Sequence, residues 1–222
     1  MKLTVNDIEL YYEVAGYGAP LILMHGNGED HTIFNEAVQV LRDHFTCYLL
    51  DSRGHGQSTR VNPLNYADMA DDVLAFADAL RLEKVNFYGF SDGGIVGLLA
   101  ASKRPELFQH LIVSGANLFP SGMKDSVLQA TRLLNLVKRD PRLTMMLTQP
   151  NITGDQLRRI TARTLVLAGQ RDMIKELHTR AIAHCIPGAI LRILPDETHG
   201  SYVVHSRTIA HVILHFCRFN TE

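Results

Sequence analysis

The chain has 222 residues, the length of a single domain that can bury a sizeable core. Its formal net charge is −1 and 20% of its residues are charged, which argues against a nucleic-acid-binding face or a polybasic membrane patch. The three cysteines are widely spaced, as in reduced cytoplasmic proteins, and the first residues form no signal peptide. No apolar run is long enough to span a membrane. We therefore expect a cytoplasmic protein without nucleic-acid or membrane partners, and its oligomeric state stays open.

The first half of the sequence alternates strand-like apolar runs with amphipathic, helix-like segments. Two short alternating runs flank Asn6-Asp7, a pattern that predicts a hairpin. The run from Ala19 to Gly26 is bounded by turn residues, which predicts a strand buried on both faces. The elements predicted next are a helix over 31–44, a strand over 45–51, a helix over 66–80, a strand over 85–90 and a helix over 92–103.

The second half continues the alternation after one interruption. Strands are predicted over 110–116, 164–172 and 189–194, a helix ends at Cys185, and a final helix carries Ile209, Val212, Ile213 and Phe216 on one face. Strands that alternate with helices predict a mostly parallel sheet covered on both faces. The opening hairpin adds an antiparallel edge to that sheet.

The interruption spans residues 117–163, which contain no good strand. Helix-like pieces occur there, such as 126–138. Thr153 and Gln156 have the spacing of a capping box and predict a short helix over 156–160. An insertion this long within a regular α/β series is more typical of a functional element than of a bare connection.

The stretch "VNFYGFSDGG" indicates a reactive serine. A strand that ends at Phe90 and a helix that begins at Asp92 leave only Ser91 for the turn, so its side chain stands at the carboxyl edge of the sheet. The glycines on both sides let the strand and the helix approach closely. The same spacing also arises by chance, and a serine at this position can simply cap the helix. A serine nucleophile further requires a base, an orienting acid and an oxyanion hole.

Those further groups follow other predicted strands. Asn27 comes after the strand of the "LMHGNG" segment, Asp172 after the strand over 165–168, and His199 after the strand over 189–194. Because the carboxyl ends of parallel strands meet at one edge of a sheet, we expect these residues to converge on Ser91. The backbone N–H groups of Asn27 and Asp92 are the candidate oxyanion donors.

These motifs together resemble the α/β-hydrolase fold superfamily over essentially the whole chain. The resemblance is carried by His25-Gly26, "DSRGHGQS", "GFSDGG", "GQRD" and "ETHG" in that order. It implies an α/β fold with a mostly parallel eight-stranded sheet, helices on both faces, a single domain over 1–222 and a small helical lid over 117–163, between strands six and seven. Such a short lid favours a small substrate or a site open to solvent.

The resemblance also implies roles for individual residues. Ser91 would be the nucleophile, His199 the base and Asp172 its orienting acid, with Asn27 and Asp92 supplying the oxyanion hole. The resemblance assigns a structural turn to "DSRGHGQS", with its residues Asp51, Arg53 and His55, and we interpret His25 as a residue that structures its loop. Two positions depart from the family pattern, Thr198 for a common glycine and Arg163 for a frequent proline, and neither touches the chemistry.

Three further features have alternative interpretations. The Asp92 carboxylate either complements the helix dipole or faces the pocket and favours a substrate amine, which makes it a candidate substrate-binding residue. Met145 and Met146 either line an acyl pocket or belong to the core of the lid. His211 and His215 have metal-ligand spacing, but without a third ligand we predict no metal site.

The sequence thus predicts a serine hydrolase of small carboxylic esters or related acyl compounds, acting through an acyl-enzyme on Ser91. No cofactor is expected, because no nucleotide-binding glycine motif occurs. The alternatives are a carbon–carbon bond hydrolase, a lactonase or a perhydrolase with the same residues, or a non-catalytic protein that binds a small ligand. Carbon–carbon hydrolysis usually requires a lid arginine, for which the candidates are Arg132, Arg139, Arg142, Arg158 and Arg159.

Overall fold

The computed structural model describes residues 1–218, and no helix in this range is long and apolar enough to cross a membrane. The strands are β1 (Lys2–Val5), β2 (Ile8–Ala15), β3 (Ala19–Met24), β4 (Phe45–Leu50), β5 (Val85–Phe90), β6 (Phe108–Ser114), β7 (Arg163–Arg171) and β8 (Ile190–Thr198). The helices are α1 (Asn35–Leu41), α2 (Tyr66–Ala79), α3 (Asp92–Lys103), α4 (Asp125–Lys138), α5 (Pro141–Thr148), α6 (Gly154–Arg158), α7 (Glu176–Cys185) and α8 (Thr208–Arg218).

All eight strands belong to one sheet in the order β1-β2-β4-β3-β5-β6-β7-β8. β2 pairs antiparallel with both β1 and β4, and every other neighbouring pair is parallel. The turn between β1 and β2 places Asn6 and Asp7 at φ 46° and 61°, as two-residue hairpins require. The predicted mostly parallel eight-stranded sheet with an antiparallel edge is therefore confirmed.

Two hydrophobic clusters cover the two faces of this sheet. One contains the buried residues of α2 and α3, and the other contains those of α1 and α8. Successive residues of β5 alternate between them, with Val85 and Phe87 in the first cluster and Tyr88 and Phe90 in the second. Because both faces are covered, the central strands have apolar residues at nearly every position.

The structure differs most from the predicted element boundaries at two places, and other ends shift by two or three residues, such as α6, which spans Gly154–Arg158 where a helix over 156–160 was expected. Residues 31–34 form a 3-10 turn ahead of α1, because Asp30 accepts a hydrogen bond from the Thr32 N–H and Asp51 accepts one from the His31 N–H. β8 continues to Thr198, beyond the predicted end at residue 194. Its last residues are polar and mostly exposed, so the hydrophobic pattern ends before the backbone pairing does.

The segment between β6 and β7 holds three helices. Thr153 and Gln156 form the predicted capping box, and α6 begins at Gly154. Ahead of α5, the Asp140 carboxylate accepts a hydrogen bond from the Arg142 N–H at 2.9 Å, and Pro141 occupies the first helical position. This cap fixes the start of α5 at Pro141. The next turn of α5 is directed toward the carboxyl edge of the sheet, where the candidate site lies.

The close contact of α3 with the loop after β3 makes Gly93 a sensitive position. A Cβ on Gly93 would lie 2.2 Å from the Met24 carbonyl oxygen and 2.8 Å from the His25 carbonyl oxygen. Backbone atoms cannot rotate aside, so Gly93→Ala is expected to destabilise the fold by at least about 3 kcal/mol and to lower Tm by roughly 6 °C or more.

Gly188→Ala is the matched control for that thermal-unfolding measurement. Gly188 has φ 69° and nothing within 4 Å of a Cβ, so its substitution adds only the backbone strain of about 1 kcal/mol. Equal losses of Tm in the two variants would contradict the packing argument.

Candidate active site

Ser91 lies at the turn between β5 and α3 in a strained backbone conformation, with φ 54° and ψ −114°. Its N–H donates to the Ser114 carbonyl oxygen at 2.7 Å, which ties the turn to β6. A Cβ on Gly89 would lie 2.1 Å from the Gly93 carbonyl oxygen, so glycine is required where strand and helix meet. Strain held in place from both sides is characteristic of functional sites.

A row of hydrogen bonds joins Ser91, His199 and Asp172. The Ser91 Oγ lies 3.1 Å from His199 Nε2, and His199 Nδ1 lies 2.7 Å from Asp172 Oδ1. Asp172 is only 3% exposed and also accepts hydrogen bonds from the backbone N–H groups of Ile174 and Gly169. Burial alone would raise the pKa of Asp172, but the hydrogen bond and charge of His199 and the two backbone donors hold that pKa below its usual range.

Two residues whose role the sequence did not predict pack against the His199 ring. The Phe90 ring packs at 4.9 Å between centroids. A Cβ on Gly115 would lie 2.6 Å from His199 Cε1, and Gly115 also has φ 64°, so only glycine fits there. Gly115 lies inside the strand predicted over 110–116 but directly after the observed end of β6 at Ser114, and the sequence around it gave no sign of a contact with the histidine.

The two predicted oxyanion donors flank the turn of Ser91. Asn27 lies in the loop after β3, and Asp92 is the first residue of α3. Within residues 1–218 neither backbone N–H donates to a protein acceptor, so both remain available to a ligand. The Asn27 side chain donates to Asp92 Oδ2 at 2.9 Å and to the Arg142 carbonyl oxygen at 3.3 Å, which connects this loop to α5.

The Asp92 carboxylate is buried, with 6% exposure, and both of its oxygens have partners. Oδ1 accepts from the Tyr66 hydroxyl at 2.8 Å, and Oδ2 accepts from Asn27. Burial raises the pKa of Asp92 to about 6, although both hydrogen bonds oppose that shift. The carboxylate borders a narrow inner recess next to Ser91.

A cavity of about 690 Å³ opens above Ser91 and His199. Its wall includes Leu143 and Met146 of α5. Met145, predicted with Met146 to line an acyl pocket, lies instead in the hydrophobic core with 1% exposure. Adjacent residues of a helix point about 100° apart, so α5 presents only one of the two methionines to the cavity.

Glu29 is a further group in this cavity that sequence reasoning missed. Its Oε2 accepts a hydrogen bond from the Gly26 N–H at 2.9 Å. Burial raises the pKa of Glu29 above its usual range, although that backbone donor opposes the shift. The signal in the sequence was the acidic pair that directly follows "HGNG", in the loop already assigned to the oxyanion hole.

The residues interpreted as structural lie in the loop after β4, outside the wall of the cavity. Asp51 accepts from the backbone N–H groups of His31 and Gln57. Arg53 forms two hydrogen bonds with the Asp72 carboxylate, each at 2.6 Å. His25, in the loop after β3, accepts from the Ser52 N–H at 3.1 Å and so connects the two loops.

Among residues 1–218, the side chains of Asp30, His31 and Asp51 lie close enough together to hold a metal ion, whereas His211 and His215 are not part of such a group. His31 Nδ1 is hydrogen-bonded to Asp51 at 2.8 Å, and Asp30 caps the following turn. His31 and Asp51 therefore pair across two loops and Asp30 acts as a helix cap, so each of the three side chains already has a structural partner.

Comparison with known proteins identifies the family of this chain. A family model described as the alpha/beta hydrolase fold matches residues 19–144, more than half of the chain. The chain therefore belongs to the α/β-hydrolase fold family, and the superfamily expected from the sequence motifs is confirmed.

The similar proteins include several named hydrolases. The human serine hydrolase BPHL is 25% identical over 236 residues, covering 91% of this chain and 80% of that protein. A hydrolase from Pseudomonas aeruginosa superposes with a TM-score of 0.79 at 25% identity, covering 98% of both chains. A thermophilic esterase from Thermogutta terrifontis shares the fold, with a TM-score of 0.81 at 22% identity over 98% of this chain and 97% of the other.

Proposed function

We propose that this chain is a serine hydrolase of small carboxylic esters that acts through an acyl-enzyme on Ser91. The observation that carries the proposal is the hydrogen-bonded row from Ser91 Oγ through His199 to Asp172, built on a strained turn at the wall of a cavity. A serine hydroxyl becomes a useful nucleophile when a positioned base removes its proton, and a buried carboxylate holds that base in the required tautomer. The serine hydrolase and esterase among the similar proteins support this class.

In the proposed mechanism, Ser91 Oγ attacks the ester carbonyl carbon while His199 Nε2 accepts the hydroxyl proton. The Asn27 and Asp92 N–H groups donate to the oxygen that becomes negative. The imidazolium, stabilised by Asp172, then protonates the leaving alcohol as the acyl-enzyme forms. A water molecule, deprotonated by His199, attacks the acyl carbon and releases the carboxylic acid and Ser91.

The cavity supports a small substrate. Its volume of about 690 Å³ lies in the usual range of small-molecule sites. We assign the role of a lid to the helical segment 117–163, because Leu143 and Met146 of α5 cover part of the cavity. None of the five arginines considered for carbon–carbon hydrolysis borders this cavity, and Arg142 is paired with Asp140. Ester hydrolysis is therefore favoured over that alternative.

The proposal is tested by treating the purified protein with a fluorophosphonate probe and assaying a panel of p-nitrophenyl and amino-acid esters. We expect covalent labelling of Ser91 and turnover that is fastest for short acyl chains. Absence of labelling would contradict the assignment of the nucleophile. A single burst of acyl-enzyme without turnover on the whole panel would indicate a ligand-binding protein instead.

The pH dependence of the reaction provides a further prediction. His199 must be neutral to accept a proton, so kcat/KM on a neutral ester is expected to fall about tenfold per pH unit on the acidic side, where the imidazole becomes protonated. Asp172 stays ionised over that range, because its pKa is held low.

Asp92 also changes its protonation state in acidic solution, so a control variant is needed to assign the acidic limb. Since the pKa of Asp92 is about 6, Asp92→Asn removes its titration while leaving its backbone N–H in place. We expect the acidic limb to persist in that variant. A limb that disappears in Asp92→Asn, or a flat profile in the folded wild type between pH 5 and pH 7.5, would contradict a histidine base.

A further inference from the structure

The C-terminal part of α4 exposes a group of large apolar side chains. The exposed fractions are 67% for Leu133, 43% for Leu134, 75% for Leu136 and 83% for Val137. Single apolar residues are common on the surface of a soluble protein, but a contiguous group of them usually marks a surface that binds a partner. We call these four residues the apolar tip of α4.

Contacts on the other side of α4 hold the apolar tip outward. Thr131 is buried, and Asn135, one turn later, donates a hydrogen bond to Thr144 Oγ1 of α5 at 3.0 Å. Residues four apart lie on one face of a helix, so Thr131 and Asn135 form the inner face. Leu133 and Val137 each follow one of them by two positions, a rotation of about 200°, and therefore lie on the opposite face. The packing of α4 on α5 thus fixes the exposure of the tip.

A cationic depression adjoins the apolar tip. It has a volume of about 490 Å³ and lies between the turn that joins α4 to α5 and the loop after β4. The charged residues that line it are Arg60, Lys138, Arg139, Asp140 and Arg142. Arg142 is paired with Asp140, whereas the other three cations form no ion pair within residues 1–218. The depression therefore carries a net charge of +3 directly beside exposed apolar side chains.

The charges at this surface disfavour a second copy of the chain as its partner. A two-fold axis through the tip would place the same surface against itself, so the cations Arg132, Lys138 and Arg139 of one copy would approach those of the other. In the described chain from residue 132 to residue 142, the one carboxylate is Asp140, which is already paired. An anionic lipid surface instead offers phosphates for the cations and acyl chains for the tip.

We propose that the apolar tip and the cationic depression together dock this protein onto an anionic membrane surface. The tip enters the headgroup region, and Arg60, Lys138 and Arg139 lie against lipid phosphates. Such docking needs no membrane-spanning helix and does not depend on the proposed ester hydrolysis at Ser91. It replaces the expectation of no membrane partner, which was drawn from the net charge of −1, because a sum over the whole chain does not show cations gathered on one surface.

Sedimentation of the full-length protein with vesicles tests the proposal. The vesicles contain phosphatidylcholine alone or phosphatidylcholine with an equal amount of phosphatidylglycerol. We expect binding at least about tenfold stronger to the anionic vesicles, and this binding should weaken as salt is raised, because the attraction is screened. The double variant Lys138→Gln, Arg139→Gln should weaken it about 30-fold, the effect of two basic groups near an anionic surface. The double variant Leu136→Gln, Val137→Gln should weaken it at least about tenfold, because less apolar surface leaves water.

Matched controls lie at the amino edge of the sheet, opposite the candidate site. Arg81 and Lys84, just ahead of β5, are exposed and have positive φ, as Arg139 does. Tyr17, ahead of β3, is 72% exposed. Neither Arg81→Gln with Lys84→Gln nor Tyr17→Gln should change vesicle binding. A thermal unfolding curve for each variant verifies that the fold is retained, as expected for exposed side chains.

Four outcomes would overturn the proposal. The first is a wild-type protein that does not bind the anionic vesicles, and the second is an equal loss of binding in the control variants. The third is competition by inorganic phosphate that exceeds that of chloride at the same ionic strength, which would assign the depression to a free anion. The fourth is a lipid-free dimer that Leu136→Gln with Val137→Gln converts to a monomer, which would assign the tip to a second copy.

Discussion

Replacement of Ser91 by alanine is expected to lower kcat on a small ester by at least about 10³-fold while the protein remains folded. The hydroxyl is the atom that forms the acyl-enzyme, so the variant retains only binding and the donors of the oxyanion hole. The Ser91 backbone donates to Ser114, and alanine keeps that hydrogen bond. The measurement is kcat by steady-state assay, together with a thermal unfolding curve for each protein.

The Ser91→Ala experiment needs protein free of host esterases. Titration with a fluorophosphonate gives the fraction of labelled protein, and Ser91→Ala should show none. Turnover within about tenfold of the wild type in an unlabelled preparation would mean that Ser91 is not the nucleophile.

Asp172→Asn is expected to lower kcat by about 10⁴-fold, the scale found when an orienting aspartate is neutralised in other serine hydrolases. Asp172 Oδ1 accepts hydrogen bonds from both His199 and the Ile174 N–H, so we expect the asparagine oxygen to occupy the Oδ1 position. The asparagine amide nitrogen then takes the Oδ2 position, next to the Gly169 N–H. The shape and the histidine orientation are then retained, but the imidazolium loses its compensating charge.

Asp51→Asn is a suitable control for that variant. Asp51 is also a fully buried carboxylate that contacts a histidine and backbone N–H groups, yet it lies outside the cavity wall. Asp51→Asn should lower the free energy of unfolding but change kcat of the folded protein little. If Asp51→Asn lowers kcat as strongly as Asp172→Asn, the assignment of Asp172 as the orienting acid is wrong.

The sequence predicted those features that depend on chain order and strand ends. Ser91, Asp172 and His199 each follow a strand, and parallel strands end at one edge of the sheet, so their approach could be expected before any coordinates. Their catalytic roles remain predictions until the variants are measured. The hairpin at Asn6-Asp7 and the capping box at Thr153 were likewise visible, because each is a local pattern.

Features that depend on the direction of a side chain could not be read from the sequence. Met145 and Met146 are neighbours of equal hydrophobicity, and only the packing of α5 decides which one meets the cavity. The Asp92 carboxylate is occupied by Tyr66, a residue far away in the chain, so its partners could not be inferred from local spacing. Gly115 is needed because of the His199 ring, a contact between separate loops.

The hydrogen bond from the Asn27 side chain to the Arg142 carbonyl oxygen connects the movement of α5 with the position of the Asn27 loop. α5 covers the cavity, and Asn27 also provides one of the proposed oxyanion donors. If α5 moves away to admit a substrate, this hydrogen bond breaks and the Asn27 loop loses one of its two side-chain anchors, leaving only Asp92. In that case α5 first moves away so that the ester can enter. When α5 returns, its hydrogen bond with Asn27 forms again, and the Asn27 N–H is again in position to donate to the ester oxygen.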